Sequence, residues 1–196
     1  MMDYIIRVIL ECSISESCIS EEDLEIYSFG LECMFLKLFH YISYLIIGIA
    51  LDSLLSLFVS ACILMPLRTK AGGYHANTRI GCYFFSCIMV IVLCVLNKIF
   101  LPVWSIILCL FVADFIILLW APVENENRIL EQEEIVQFRR QVIVLLMLGN
   151  AIFCVLMWNE IEIYKYLASG IAMAAMLLLL GKGKEWLAGI RIEVKT

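Results

Sequence analysis

Two residues able to do covalent chemistry near neutral pH stand seven positions apart in the stretch LRTKAGGYHANTRIGC, residues 67–82: His75 and Cys82. A cysteine nucleophile acts as its thiolate, and a nearby imidazole is the usual base or ion-pair partner. In one continuous helix the pair would share a face but stand about 10 Å apart along the axis, out of hydrogen-bond reach. Cooperation therefore needs a bend. Gly72 and Gly73 permit backbone conformations closed to other residues. Asn77 and Thr78 are good N-caps for a helix starting near Arg79. Cys82 would then lie in or just after the first turn, where the helix's partial positive charge and Arg79 favour a thiolate. Backbone N–H groups at such an end can also stabilise an oxyanion. Each feature has a plainer reading: a glycine turn, a helix cap, Arg68 and Lys70 as interfacial anchors, a satisfied histidine and a space-filling cysteine. The spacing alone leaves both readings open.

The elements that must hold this stretch are membrane spans. Of 196 residues, 63% are hydrophobic and only 17% charged, and the mean hydropathy is +0.96. A soluble domain carries about 45–50% apolar and about 25% charged residues. The length fits a single domain over residues 1–196. Apolar runs near 31–51, 53–67, 82–97, 102–121, 142–158 and 164–181 predict an all-α, polytopic fold of about six segments. Several are shorter than the roughly 20 residues a span needs, so they must tilt, extend into polar flanks or re-enter. Residues 3–11, DYIIRVILE, place Ile5, Ile6, Ile9 and Leu10 on one face and predict a short amphipathic helix at the surface. No signal-peptide core opens the chain.

With the N-terminus inside, 11 of the 14 Lys and Arg residues fall on the cytoplasmic side: Arg7, Arg68, Lys70, Arg79, Arg128, Arg139, Arg140, Lys182, Lys184, Arg191 and Lys195. This positive-inside bias places both termini and the His/Cys stretch at the cytoplasmic face of a cell membrane. The net charge of −5 and the lack of a basic run argue against a nucleic-acid partner.

Other polar residues have simpler explanations. Most of the nine cysteines, including Cys62, Cys87, Cys94, Cys109 and Cys154, lie in apolar runs and behave as small hydrophobes. Their spacings match no zinc pattern, so neither a metal nor another cofactor is expected. His40 reads as a histidine hydrogen-bonded within the bundle. Asp114 and Asn150 lie inside spans, where polar groups are costly. Either could brace His75 or lock two helices together, and Asp114 is the nearest candidate for a third polar residue of the site. GKGK, residues 181–184, lacks the spacing of a phosphate loop and reads as a helix end with cationic anchors.

The stretch 67–82 resembles the signature of the AgrB family (accessory gene regulator B), membrane cysteine endopeptidases that process quorum-sensing peptide precursors. Its arginine, Gly-Gly pair, histidine and cysteine fall on Arg68, Gly72, Gly73, His75 and Cys82. A second family signature is matched by WAPVENENR, residues 120–128, and EQEE before FRR also fits. The resemblance implies that His75 and Cys82 are the catalytic pair, supported by Arg68 and the second glycine. It implies cleavage of a short amphipathic precursor of the AgrD type, which carries an acidic tail, through a thioester acyl-enzyme. The precursor's internal cysteine or serine then closes a thiolactone or lactone ring. The resemblance also implies a homodimer. Lys70 and Arg79 join Arg68 in a cationic rim suited to the acidic tail.

Two rival readings are weaker. EEIVQFR, residues 133–139, is similar to the paired-glutamate motif of a prenyl-protein-processing intramembrane protease, but its arginine is one position too far along and further histidines are missing. A small peptide permease would use the glycines as a gate, yet the chain lacks the internal repeat that transporters often carry.

Overall fold

Apolar segments surrounded by hydrocarbon must pair their own backbone N–H and C=O groups, which a helix does locally. The computed structural model describes residues 23–74, 76, 78–123 and 131–193. It contains six helices: α1 Leu24–Ala50, α2 Leu54–Ala71, α3 Arg79–Leu96, α4 Val103–Trp120, α5 Gln132–Trp158 and α6 Tyr164–Glu193. No strand occurs among the described residues. All six helices are long and apolar enough to cross a membrane, and the protein is a multi-pass membrane protein. The amphipathic helix expected over residues 3–11 lies outside the described residues.

Each apolar run corresponds to one helix, and most of the helices extend beyond their run. The run at 142–158 starts at Gln132, and the run at 164–181 continues to Glu193. Helical hydrogen bonding does not stop where apolar side chains stop, so polar turns carry the helices beyond the hydrocarbon. At 27 residues α5 is about 40 Å long, well over the thickness of the hydrocarbon core. GKGK is therefore not a helix end: it lies in the middle of α6.

The chain divides into two compact units, residues 1–46 and 47–196. In the first, α1 satisfies its histidine locally: His40 Nδ1 donates to Leu36 O at 2.7 Å, and the ring meets Tyr44 edge-on at 5.9 Å.

The second unit is a bundle whose hub is α6. Leu167, Ala168, Ile171, Ala174, Ala175 and Leu178 of α6 are buried, and α6 packs most extensively against α2 and α4. Lipid offers no hydrophobic drive between spans, so tight packing and polar contacts must hold them. At Gly170 a side chain would come within 2.6 Å of Ser60 O, which shows how closely α2 and α6 cross. Ser60 Oγ donates to Tyr166 O at 2.8 Å and accepts from Asn97 Nδ2 at 3.2 Å, tying the end of α3 to α2 and α6. The α3 helix docks through Leu93 onto Met173 and Leu177, with Phe85 and Met89 alongside. Outward faces carry Phe111, Phe115 and Met147, each over 60% exposed. Such surfaces belong against acyl chains.

Candidate functional site

The loop after α2 is held by three separate elements. Gly72 N donates to Arg68 O at 3.1 Å, and Gly72 adopts φ 79 and ψ −157. Gly73 also has a positive φ, 144. Residues with a side chain avoid these conformations. The glycines additionally permit close approach. A Cβ on Gly72 would lie 2.4 Å from Val123 O, just where Val123 N donates to Ala71 O at 2.9 Å. Val123, in the Ala-Pro-Val that follows α4, thus docks on the end of α2, which gives the valine of the second signature a physical role.

Tyr74, immediately before His75, is fixed through both of its peptide groups. Its N–H donates to Leu177 O of α6 at 2.9 Å. Its C=O accepts from Arg68 Nη2 at 3.1 Å. The Tyr74 ring packs on Phe85 of α3 at 4.7 Å between centroids, and Lys184 Nζ lies 5.9 Å from the ring on its way past the loop. Beneath, Gly181 allows α6 to touch the loop backbone: a Cβ there would lie 2.8 Å from Gly73 C and 3.0 Å from Tyr74 N.

The described part of the stretch then leaves the helical path. Gly72, Gly73, Tyr74, Ala76 and Thr78 all lie outside helices, and α3 begins at Arg79. Thr78 is the N-cap, extended at φ −123 and ψ 149, its side chain accepting from Gly81 N at 3.1 Å. Cys82, half-buried, makes the first regular helical bond: its N–H donates to Thr78 O at 2.9 Å. The amides of Gly81 and Cys82 are thus already used, so an oxyanion must find its donors elsewhere than on these two residues.

The candidates divide by location. Arg68, Gly72 and Gly73 converge on the loop, with Cys82 opening the next helix and Arg79 exposed beside it. Lys70 turns to α5, its Nζ 5.0 Å over the Phe138 ring. Asp114 sits in α4, seven residues and about 10 Å along the axis from Ala121. Asn150 Nδ2 donates to Asp114 Oδ2 at 2.8 Å and to Leu146 O at 2.9 Å, an α4–α5 lock. Asp114 Oδ1 is buried without a partner among the described residues. His75, Asn77 and residues 124–130 of the second signature lie outside the described residues, and so does the expected approach of His75 to Cys82.

Sequence reasoning gave Tyr74, Val123, Gly181 and Lys184 no part in holding the loop. Their signals were faint. Tyr74 stood inside the motif, and Gly181 was visible as a glycine amid an apolar helix, where it costs about 1 kcal/mol relative to alanine and so asks for a reason.

A model of the family described as accessory gene regulator B matches residues 4–179. No curated protein and no solved structure matches the chain. The match covers both signatures, the loop and all the helices except the end of α6. The chain belongs to the AgrB family, membrane proteins with a role in processing autoinducing peptides from a peptide precursor.

Proposed function

We propose that this protein is a membrane cysteine endopeptidase that cleaves a short precursor peptide and closes the retained part into a ring. Cys82 Sγ attacks the scissile carbonyl, and His75 accepts the thiol proton and then delivers it to the departing amine. The C-terminal part leaves, and the upstream part remains as a thioester on Cys82. An internal thiol or hydroxyl of the precursor attacks this thioester, forming the ring and returning the proton to the enzyme. With an internal thiol, one thioester replaces another, so little free energy is lost. Holding that nucleophile close gives it a high effective concentration. A site at the edge of an apolar bundle limits competition from water.

The observation that carries this reading is the double anchoring of Tyr74. Its C=O is held by Arg68 and its N–H by Leu177 O, immediately before His75 and four residues ahead of the Thr78 cap that starts the Cys82 helix. Arg68, Gly72 and Gly73 are positioning residues. Arg79, exposed at the head of α3, suits the precursor's acidic tail. The cation bias supports a cytoplasmic site with both termini on that side.

Mass spectrometry on full-length protein in liposomes, supplied with cognate precursor, tests the reaction. The expected product is a cyclic fragment one water lighter than the linear acid, lost on Cys82→Ala and on His75→Ala. Release of the linear acid alone would refute transfer, and unchanged turnover in Cys82→Ala would refute the peptidase.

A further inference from the structure

Outside the loop, one cleft combines two cations with apolar walls. It lies between the end of α2 and the start of α5, with a volume of about 480 Å³, and is lined by Pro66, Lys70, Arg140, Gln141, Val144 and Leu145 among others. Lys70 and Arg140 make no ion pair with a carboxylate among the described residues. Nor does α2 place an acid one helical turn before Lys70: positions 66 and 67 are Pro and Leu. Two cations thus line one cleft with no carboxylate paired to them among the described residues.

The depth of the cleft identifies what would. Along α5, polar residues run from Gln132 to Gln141, and the chain is then almost wholly apolar from Val142 to Phe153. The cleft straddles that change, with Lys70 and Arg140 at headgroup level and Val144 and Leu145 below them. Its flanks are exposed apolar side chains, Met65 at 40%, Val144 at 48% and Met147 at 68%. They belong against lipid, so the lower cleft opens toward acyl chains. Gln141 Oε1, at the wall of the cleft, has no hydrogen-bond partner among the described residues. A free anion would leave the apolar part unused, and an acidic peptide approaching from water would have to enter the lipid-facing side.

We propose that the α2–α5 cleft binds one anionic phospholipid, its phosphate held by Lys70 and Arg140 and the start of its acyl chains lying along Val144, Leu145 and Pro66. Bound there, the lipid ties α2 to α5 at the level of the Gly72 loop. This site is distinct from the peptidase reading, and its test does not depend on activity.

The experiment measures lipid retained by full-length protein extracted in mild detergent from vesicles of equal phosphatidylcholine and phosphatidylglycerol, read by native mass spectrometry. Wild type should retain phosphatidylglycerol selectively, close to one per chain. Arg140→Gln should lower that retention about fivefold, the equivalent of about 1 kcal/mol for one interfacial cation. Arg140→Lys should keep most of it, and Arg139→Gln, next in sequence but off the cleft, should not change it. Equal retention of the two lipids, or equal losses in the Arg139 and Arg140 variants, would mean only a non-specific annulus and overturn the proposal. Displacement by millimolar inorganic phosphate would make it a free-anion site. Displacement by the precursor peptide would assign the cleft to substrate. Either result also overturns the lipid site.

Discussion

Replacing Gly181 with alanine should leave the fold intact and cripple processing. The helical backbone at 181 is ordinary, and alanine is the better helix former by up to about 1 kcal/mol. What alanine adds is one methyl group facing the loop. That methyl would sit 2.8 Å from Gly73 C and 3.0 Å from Tyr74 N, whereas ordinary contact begins at 3.4 Å. Roughly 0.6 Å must be found. The α6 side cannot yield, because Ile171, Ala174, Ala175 and Leu178 pack it into the core. The loop must move instead, stretching the 2.9 Å bond from Tyr74 N to Leu177 O and the 3.1 Å bond from Arg68 to Tyr74 O.

Overpacking of this kind costs about 1–3 kcal/mol, partly offset by the gain in helix propensity, so the net change in global stability is small. Catalysis is less forgiving, since a misplacement of about 1 Å in a reacting group can cost about 100-fold. The expected result is a 10- to 100-fold slower single-turnover cleavage of precursor in liposomes, with the thermal unfolding midpoint nearly unchanged. Gly183→Ala is the control, because a Cβ there meets nothing within 4 Å. It should process at the wild-type rate. If Gly181→Ala were fully active, or if both variants were equally impaired, the seating of the loop on α6 would not be what positions the site.

Gly72→Ala should be harsher, because the new Cβ would lie 2.4 Å from Val123 O at a φ of 79; a loss of at least about 2 kcal/mol is expected from clash and left-handed strain together, read as a lowered unfolding midpoint in detergent. Asn150→Leu should destabilise by about 1 kcal/mol by removing the donor from Asp114 Oδ2. Adding Asp114→Leu should recover most of that loss, since removing both partners is milder than orphaning one; additive losses would show that the pair does not lock α4 to α5. In a variant keeping Cys82 as its single cysteine, a membrane-impermeant thiol reagent should label inverted vesicles and spare intact cells. Equal labelling from outside would reverse the topology drawn from the cation bias.

The helices were legible because hydrocarbon leaves an apolar chain few choices. Each of the six runs marked a helix, and Thr78 capped α3 as its residue type suggested. Helix ends were not legible from hydropathy. Gln132–Gln141 and the turns beyond Gly181 are polar, and nothing in their polarity distinguishes a projecting helix from a loop. Asp114 and Asn150 could be named as costly intramembrane groups, but their pairing depends on how α4 and α5 are rotated, which no local pattern records.

The motif itself was readable only in part, for a physical reason. Residues 67–82 declare which side chains are present, and the two glycines declare that the backbone turns sharply. They do not declare what the turn rests on. The support comes from Val123, more than fifty positions later, and from Leu177 O and Gly181, about a hundred positions later. Two of these contacts use backbone atoms, which any residue type could supply, so they leave no compositional trace. Only Gly181 leaves one: a glycine in a long apolar helix, retained where alanine would be the better helix former. Its explanation is the loop backbone pressed against it. The site is therefore a property of α2, α6 and the end of α4 together, and a change in α6 can silence a loop whose own sequence is untouched.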